Sequence, residues 1–388
     1  MLTRLLSALR LGQRAEGKTP LPDSAEPRPR AEEVRALFDE AQAASRQGDV
    51  AAALALMQRA AALDPESPAI RFELGNLGLT CGDPAAAERG FLQALALRPK
   101  YPLVLDARIG IALSRARSDF ARGVQARVLP PPAAPTPRIS IIICSVTPEK
   151  FAAVCASYRA RLAGLDFEII GIHDAKSLCE GYNRGVNKAR GDVLIFSHDD
   201  IEIVSPDFAA RLLGHLETFD LLGVAGTTRL IDAGWTAAGW PHIHGHIAWR
   251  DDPGNYTCSV AGIHAKTVDQ VRAVDGVFIA IRRRVLDKVR FDEATFDGWH
   301  MYDVDFSFAA YLAGFACAVC NDIVLLHASG GNYGQAWQIA AERFRKKYAG
   351  RLDALAAGAP MVNLGAGLRS ERELLLFSEH LRGRDVIA

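Results

Sequence analysis

Five prolines between residues 130 and 137 cut the sequence into two stretches of opposite periodicity, and that division limits the folds open to it. From residue 31 to 127, Ala, Leu and Arg recur with helical spacing. After the prolines, short β-branched runs take over. Ile139 to Cys144, Phe167 to Ile172 and Val193 to Phe196 read as buried strands, with helical stretches over 149–163 and 177–190 between them. Strand–helix–strand alternation predicts a mostly parallel, Rossmann-like α/β sheet with helices on both faces. Ligands of such sheets bind at the carboxyl ends of the strands, so the chemistry is sought there. Proline fixes φ and removes a donor, so 128–137 is expected to be an extended spacer. The expected order is a flexible tail (1–30), an all-α part (31–127), the spacer, an α/β domain (138–350) and a helical extension (351–388).

The helical part repeats itself. Laying Pro65 over Pro99, an offset of 34 residues, carries Ala53 onto Ala87, Met57 onto Phe91, Ala60 onto Ala94 and Gly48-Asp49 onto Gly82-Asp83. Small residues sit where paired helices must approach, a large apolar one fills the gap, and proline ends the second helix. This pattern resembles the tetratricopeptide repeat, and Leu74-Gly75 matches its first-helix signature. Two copies are fewer than the three or so a solenoid needs, so 103–127 is expected to add a degenerate third unit or cap.

Charge and cysteine content narrow the partners. Lys+Arg and Asp+Glu are both 45, split 18 to 15 in residues 1–137 and 27 to 30 in 138–388, so neither half can neutralise a phosphate backbone and nucleic acid is not expected as a partner. Seven scattered cysteines suit a reducing, cytoplasmic setting, and the lone C-x-x-C of Cys317 and Cys320 reads as core. No apolar run reaches the 18 or so residues of a membrane span. The basic, leucine-rich start reads as a frayed amphipathic helix or as a weak membrane-surface anchor.

The third strand runs into Ser197-His198-Asp199-Asp200, and adjacent carboxylates at a strand end repel unless solvated or bridged by a cation. Upstream lie Asn183-Arg184-Gly185 and Ala189-Arg190-Gly191-Asp192. Downstream come Val274-Asp275-Gly276-Val277-Phe278, then Phe291-Asp292-Glu293, then Trp299-His300-Met301-Tyr302-Asp303-Val304-Asp305, and finally a strand closing on His327. In this order the motifs resemble the family 2 glycosyltransferases of the GT-A fold. The resemblance implies a divalent cation, Mn2+ or Mg2+, held by Asp199 and His327 against the diphosphate of a nucleotide sugar. Asp200 is the alternative ligand or a donor contact, and Ser145, Asp174 and Asn183 are donor-side candidates. It further implies Asp303 as the general base on the acceptor hydroxyl, with Gly276, Trp299 and Asp305 on the acceptor side. Helix capping is the competing explanation for Ser145 and Asp174, and helix-dipole stabilisation for Asp303 and Asp305. Two places depart from the family pattern: Ser197 stands for its first aspartate and Tyr302 for a glutamate.

Trp235, Trp240 and Trp249 flank three alternating histidines, His242, His244 and His246, and read as an acceptor-side loop whose rings pack on a sugar rather than as a metal site. Residues 250–272 are polar and read as a mobile lid. The expected activity is inverting transfer of a sugar from a nucleotide diphosphate donor to a hydroxyl of a glycan, lipid-linked or protein acceptor, with a protein partner or self-association through the repeats. The alternative is a repeat scaffold whose transferase-like domain is inactive. A nucleotidyltransferase would share a similar sheet, but no glycine-rich phosphate loop with a following lysine trails the first strand.

Overall fold

A computed structural model of the protein describes residues 28–100, 103–252, 254–262, 265–331, 333–354 and 362–383. The tail expected over 1–30, with its candidate membrane contact, lies almost wholly outside the described residues.

Among the described residues five helices come first: α1 (Arg28–Gln47), α2 (Val50–Leu63), α3 (Pro68–Cys81), α4 (Pro84–Leu97) and α5 (Val104–Ala121). The 34-residue offset governs their local structure. Gly48 and Gly82 both take positive φ, +85° and +73°, at the turns where a helix ends, a conformation glycine adopts without penalty. The following aspartates start the next helix: Asp49 accepts from the Ala52 N–H at 3.0 Å and Asp83 from the Ala86 N–H at 2.9 Å. Phe91 is buried between helices, and a Cβ on Gly75 or Gly110 would fall 2.7 or 2.5 Å from its ring. Glycine at those two positions is what lets α3 and α5 close on one aromatic side chain.

The α/β part begins with β1 (Ile139–Cys144), α6 (Pro148–Arg161), β2 (Phe167–Ile172), α7 (Leu178–Lys188) and β3 (Val193–Ser197). β1 pairs in parallel with both β2 and β3. Beyond β3 the sheet becomes mixed. β11 (Phe278–Arg282) runs antiparallel to β3 and to β5 (Leu221–Gly223), β5 is parallel to β12 (Cys317–Cys320), and β9 (Thr267–Val268) follows antiparallel. Cys317 and Cys320 are buried free thiols in the cores on opposite faces of this sheet, as the two-residue period of a strand requires.

A second sheet has the order β10 (Ala273–Val274), β6 (Ala225–Thr227), β7 (Ile243–Asp252), β13 (Leu325–His327), β4 (Ile201–Ile203). On β7 is laid β8 (Asn255–Gly262), and on β8 lies β14 (Val362–Leu368). The segment expected to be a lid is therefore largely a β-hairpin: every residue from Tyr256 to Gly262 is buried. Asp251, Asp252 and Asn255 give the stretch its polar look, but they belong to the hairpin's tip, and the chain on either side of them is strand. The C-terminal extension also differs from expectation, since β14 precedes its helix, α11 (Glu371–Leu381).

That helix lies along α5. Arg372 stacks its guanidinium 4.1 Å from the Phe120 ring centroid, His380 meets Asp119 at 2.7 Å, and Arg117 donates to the Gly367 carbonyl at 3.0 Å. Ile109, Ala112 and Ala116 of α5, Tyr256 and Val260 of β8, and Leu374, Phe377 and Leu381 of α11 form one continuous core. The partner helix that α5 lacks in sequence is thus supplied from the far end of the chain. The proline segment is pinned along its start as well: Leu129 N–H donates to Asp207 at 2.7 Å and Arg127 N–H to Glu379 at 2.6 Å. Phe377→Ala, emptying a fully buried site in this shared core, is expected to cost about 3–5 kcal/mol in urea denaturation, and hydrogen exchange of α5 should rise along with that of α11.

Candidate active site

At the carboxyl ends of β1 and β3 the surface opens into a cavity of about 1010 Å3. Strand register assembles its floor. β11 pairs with β3 so that Phe278 faces Ser197, and the His198 N–H donates to the Val277 carbonyl at 3.2 Å, which sets Asp275-Gly276 beside the His198-Asp199-Asp200 turn. β13 pairs with β4 so that His327 faces Ile201, and the Ala328 N–H donates to the Asp200 carbonyl at 3.0 Å. Residues more than a hundred positions apart meet because two antiparallel registers bring them together.

The ligand-capable atoms that converge are those of His198, Asp200 and His327, all within 4.8 Å of one another. His198 Nδ1 lies 3.1 Å from His327 Nε2, and His327 Nε2 lies 3.2 Å from Asp200 Oδ1. Burial works against a charge on Asp200, but hydrogen bonds from His327 and Ser329 outweigh it and hold the carboxyl below its ordinary range. Burial, then the neighbouring His327, push His198 down and keep its imidazole neutral. Two imidazoles and an ionised carboxylate form a donor set that fits a divalent transition ion; nitrogen donors favour Mn2+ over Mg2+.

Asp199 takes a different place. Its carboxylate accepts from the Ser145 hydroxyl at 2.6 Å, while Ser145 also accepts through its carbonyl from His173 Nδ1 at 2.8 Å. The metal-type cluster therefore takes the residues on either side of Asp199 and not Asp199 itself. Ser197 is fully buried, its hydroxyl donating to the His198 carbonyl at 2.8 Å, so it faces the core and not the cavity. Lys150, in the first turn of α6, lines the cavity with Nζ 3.8 Å from Asp200.

The opposite wall is built by α9 (Tyr302–Leu312). Asp303 accepts from the Gly276 N–H at 2.8 Å. Burial first, then the charge of Asp275, raise its carboxyl to about 7; hydrogen bonds from the Val304 and Gly276 backbones work against the rise. Asp275 is itself fixed by the Trp235 indole N–H at 2.9 Å and the Val277 N–H at 2.9 Å. The other titratable groups around Asp303 are Cys179, Tyr182, Tyr302 and Tyr333. Met301, just ahead, holds φ at +66°, a strained conformation for a non-glycine residue that turns the chain into α9. Asp305 is buried away from the cavity, bonded to Lys347 of α10 (Gln335–Lys347) at 2.6 Å and to the Tyr348 hydroxyl at 2.8 Å.

The remaining expected residues are dispersed. Asp174 is exposed and paired with Arg184 at 2.9 Å. Asn183 stands off the cavity wall: its amide donates to the Phe291 carbonyl at 2.8 Å and accepts from the Phe291 N–H at 3.3 Å. Trp299 is 52% exposed at the rim, Trp235 and Trp249 line the cavity, and Trp240 packs into the core. Tyr333 and Trp337, ring centroids 5.4 Å apart, complete an aromatic arm that sequence reasoning missed. Among the described residues no metal-type cluster includes His242, His244 or His246.

The chain belongs to a glycosyltransferase-like family: the family's sequence model matches residues 140–348, more than half of the length. Residues 38–102 match a tetratricopeptide repeat model. The protein thus joins a glycosyltransferase-like α/β domain to N-terminal tetratricopeptide repeats. No curated protein matches the chain. Among solved structures, GalNAc-T7 with UDP, GalNAc and Mn2+ is 14% identical over 55% of this chain and 48% of its own, at a TM-score of 0.33. The chain spans about half of that protein's length. Mannosyltransferase PcManGT from Pyrobaculum calidifontis, in complex with GDP-Man and Mn2+, is 13% identical over 71% of this chain and 80% of its own, at 0.34. No described helix is long and apolar enough to cross a membrane.

A carboxyl raised from 3.8 in the unfolded chain to about 7 subtracts stability progressively as pH rises between those values, and the full penalty stands above about 7. Asp303→Asn removes the penalty and keeps an acceptor for the Gly276 N–H. Urea denaturation should find the variant more stable than the wild type at pH 8, by on the order of 4 kcal/mol at most, with the difference vanishing near pH 4.

Proposed function

We propose that this protein transfers a sugar from a nucleoside diphosphate sugar to a hydroxyl of a glycan acceptor, with inversion at the anomeric carbon. The observation that carries the reading is the convergence of His198, Asp200, His327 and Asp303 on one cavity at the strand ends. His198, Asp200 and His327 would hold a divalent cation, which when bound offsets charge building on the departing diphosphate. Lys150 adds a positive charge on the same side. Asp199, bonded to Ser145, stays near the donor as a polar contact.

The ionised Asp303 carboxylate receives the proton of the acceptor hydroxyl as that oxygen bonds to the anomeric carbon and the bond to the diphosphate breaks. A carboxyl raised to about 7 is a stronger base than an ordinary aspartate and still ionises in the physiological range. Asp305, bonded to Lys347 and to the Tyr348 hydroxyl, anchors the helix that carries Asp303. The aromatic arm of Trp249, Trp299, Tyr333 and Trp337 offers faces on which a sugar ring can stack, which favours a glycan over other acceptors. The scaffold alternative drew its force from acids missing at positions 197 and 302. Neither position is among the three ligand-capable residues of the cluster, and that favours the enzyme.

The test is transfer, or donor hydrolysis, across a panel of nucleotide sugars with Mn2+, Mg2+ or chelator. Mn2+ should support turnover best and chelator should stop it. Asp303→Asn should lower kcat by about 10²- to 10⁴-fold and leave donor affinity within a few-fold of the wild type. The wild-type rate should climb with pH up to about 7 and then level, since the base acts only when ionised. Undiminished turnover by Asp303→Asn would remove it from the base role, and no turnover with any donor would favour the scaffold.

A further inference from the structure

Tyr302, which departs from the acidic pattern of the family, touches His198 of the metal-type cluster. The Tyr302 hydroxyl lies 2.6 Å from Nε2 of His198. The other nitrogen of that ring, Nδ1, faces His327 Nε2 at 3.1 Å and Asp200 Oδ1 at 3.9 Å. The phenol has little freedom to move. Its ring is buried, 5.7 Å from that of Tyr182 between centroids, and its hydroxyl sits where a Cβ on Gly276 would come within 2.1 Å.

A neutral imidazole carries one proton, and the partner at one nitrogen decides which nitrogen keeps a free lone pair. We propose that Tyr302 is a positioning residue for His198: its oxygen accepts the Nε2 proton and leaves the Nδ1 lone pair aimed at the space shared with Asp200 and His327. The inference rests on the cation reading given above. It also explains why a phenol suits the position. A carboxylate there would accept the same proton but would add a third negative charge beside Asp275 and Asp303, and that would oppose ionisation of the base. Tyrosine supplies the oxygen without the charge.

The test uses the full chain and Mn2+ alone, with free Mn2+ read by electron paramagnetic resonance. The wild type should bind one ion and His327→Ala should lose it. Tyr302→Phe, which keeps the buried ring, should weaken Mn2+ affinity by about 10- to 100-fold while the apoprotein melts close to the wild type. A second measurement does not depend on the variant folding: the 15N spectrum of histidine-labelled wild type loaded with Zn2+, a diamagnetic probe, should place the His198 proton on Nε2. Equal Mn2+ affinity in Tyr302→Phe and wild type, or a His198 proton on Nδ1, would overturn the assignment while leaving the cation site standing. A wild type that binds no Mn2+ would overturn the cation reading and this inference together.

Discussion

The antiparallel seam between β3 and β11 is the constraint on which the site depends. β3 ends one residue short of His198, and β11 begins two residues after Gly276, so pairing Phe278 with Ser197 sets the two polar turns side by side. A slip of one residue would turn Ser197 and Phe278 to the opposite faces and separate the turns. The cores on both faces prevent that slip, because Ile195, Phe278 and Ala280 pack on one side while Leu194, Phe196, Ile279 and Ile281 pack on the other. Apolar residues with no chemical role therefore hold the geometry of those that have one.

From the seam outward, fixation comes by hydrogen bonds with few degrees of freedom. Trp235 and the Val277 N–H immobilise Asp275, the Gly276 N–H holds Asp303, and Lys347 bridges Asp305 to Asp292 at 2.6 and 2.8 Å. Through that lysine, the segment after Phe291 and the helix bearing Asp303 are tied to α10, whose first residues follow the glycine-rich stretch after His327.

The sequence made some of this legible and concealed the rest. Strand alternation identified β1 to β3, and the apolar run closing on a polar residue identified His327, because both signals are local. The metal-type cluster falls on His198 and Asp200, to either side of Asp199. The acidic pattern drew attention to Asp199, whereas the strand's own alternation, which buries Ser197, leaves the turn to present His198 and Asp200. The acidic tip obscures the β7–β8 hairpin, although Tyr256, Cys258 and Val260 place an apolar residue at every second position of a strand that is buried from Tyr256 to Gly262. Tyr302 stood out as an oddity, yet its partner is 104 residues away and only the fold joins them. Asn183, one of the most motif-like residues, has a mechanical task, clamping α7 to the backbone at Phe291.

The docking of α11 on α5 has a consequence for the architecture of the repeats. Stacked helical pairs ordinarily leave an apolar face at each extremity, to which another pair can be added. Here the extremity nearest the catalytic domain is plugged by the chain itself and fused to β8 and β14, so the array is polar in its capacity to grow. A longer superhelix in a relative could lengthen only on the α1 side, and each added pair would extend the array outward without disturbing the sheet.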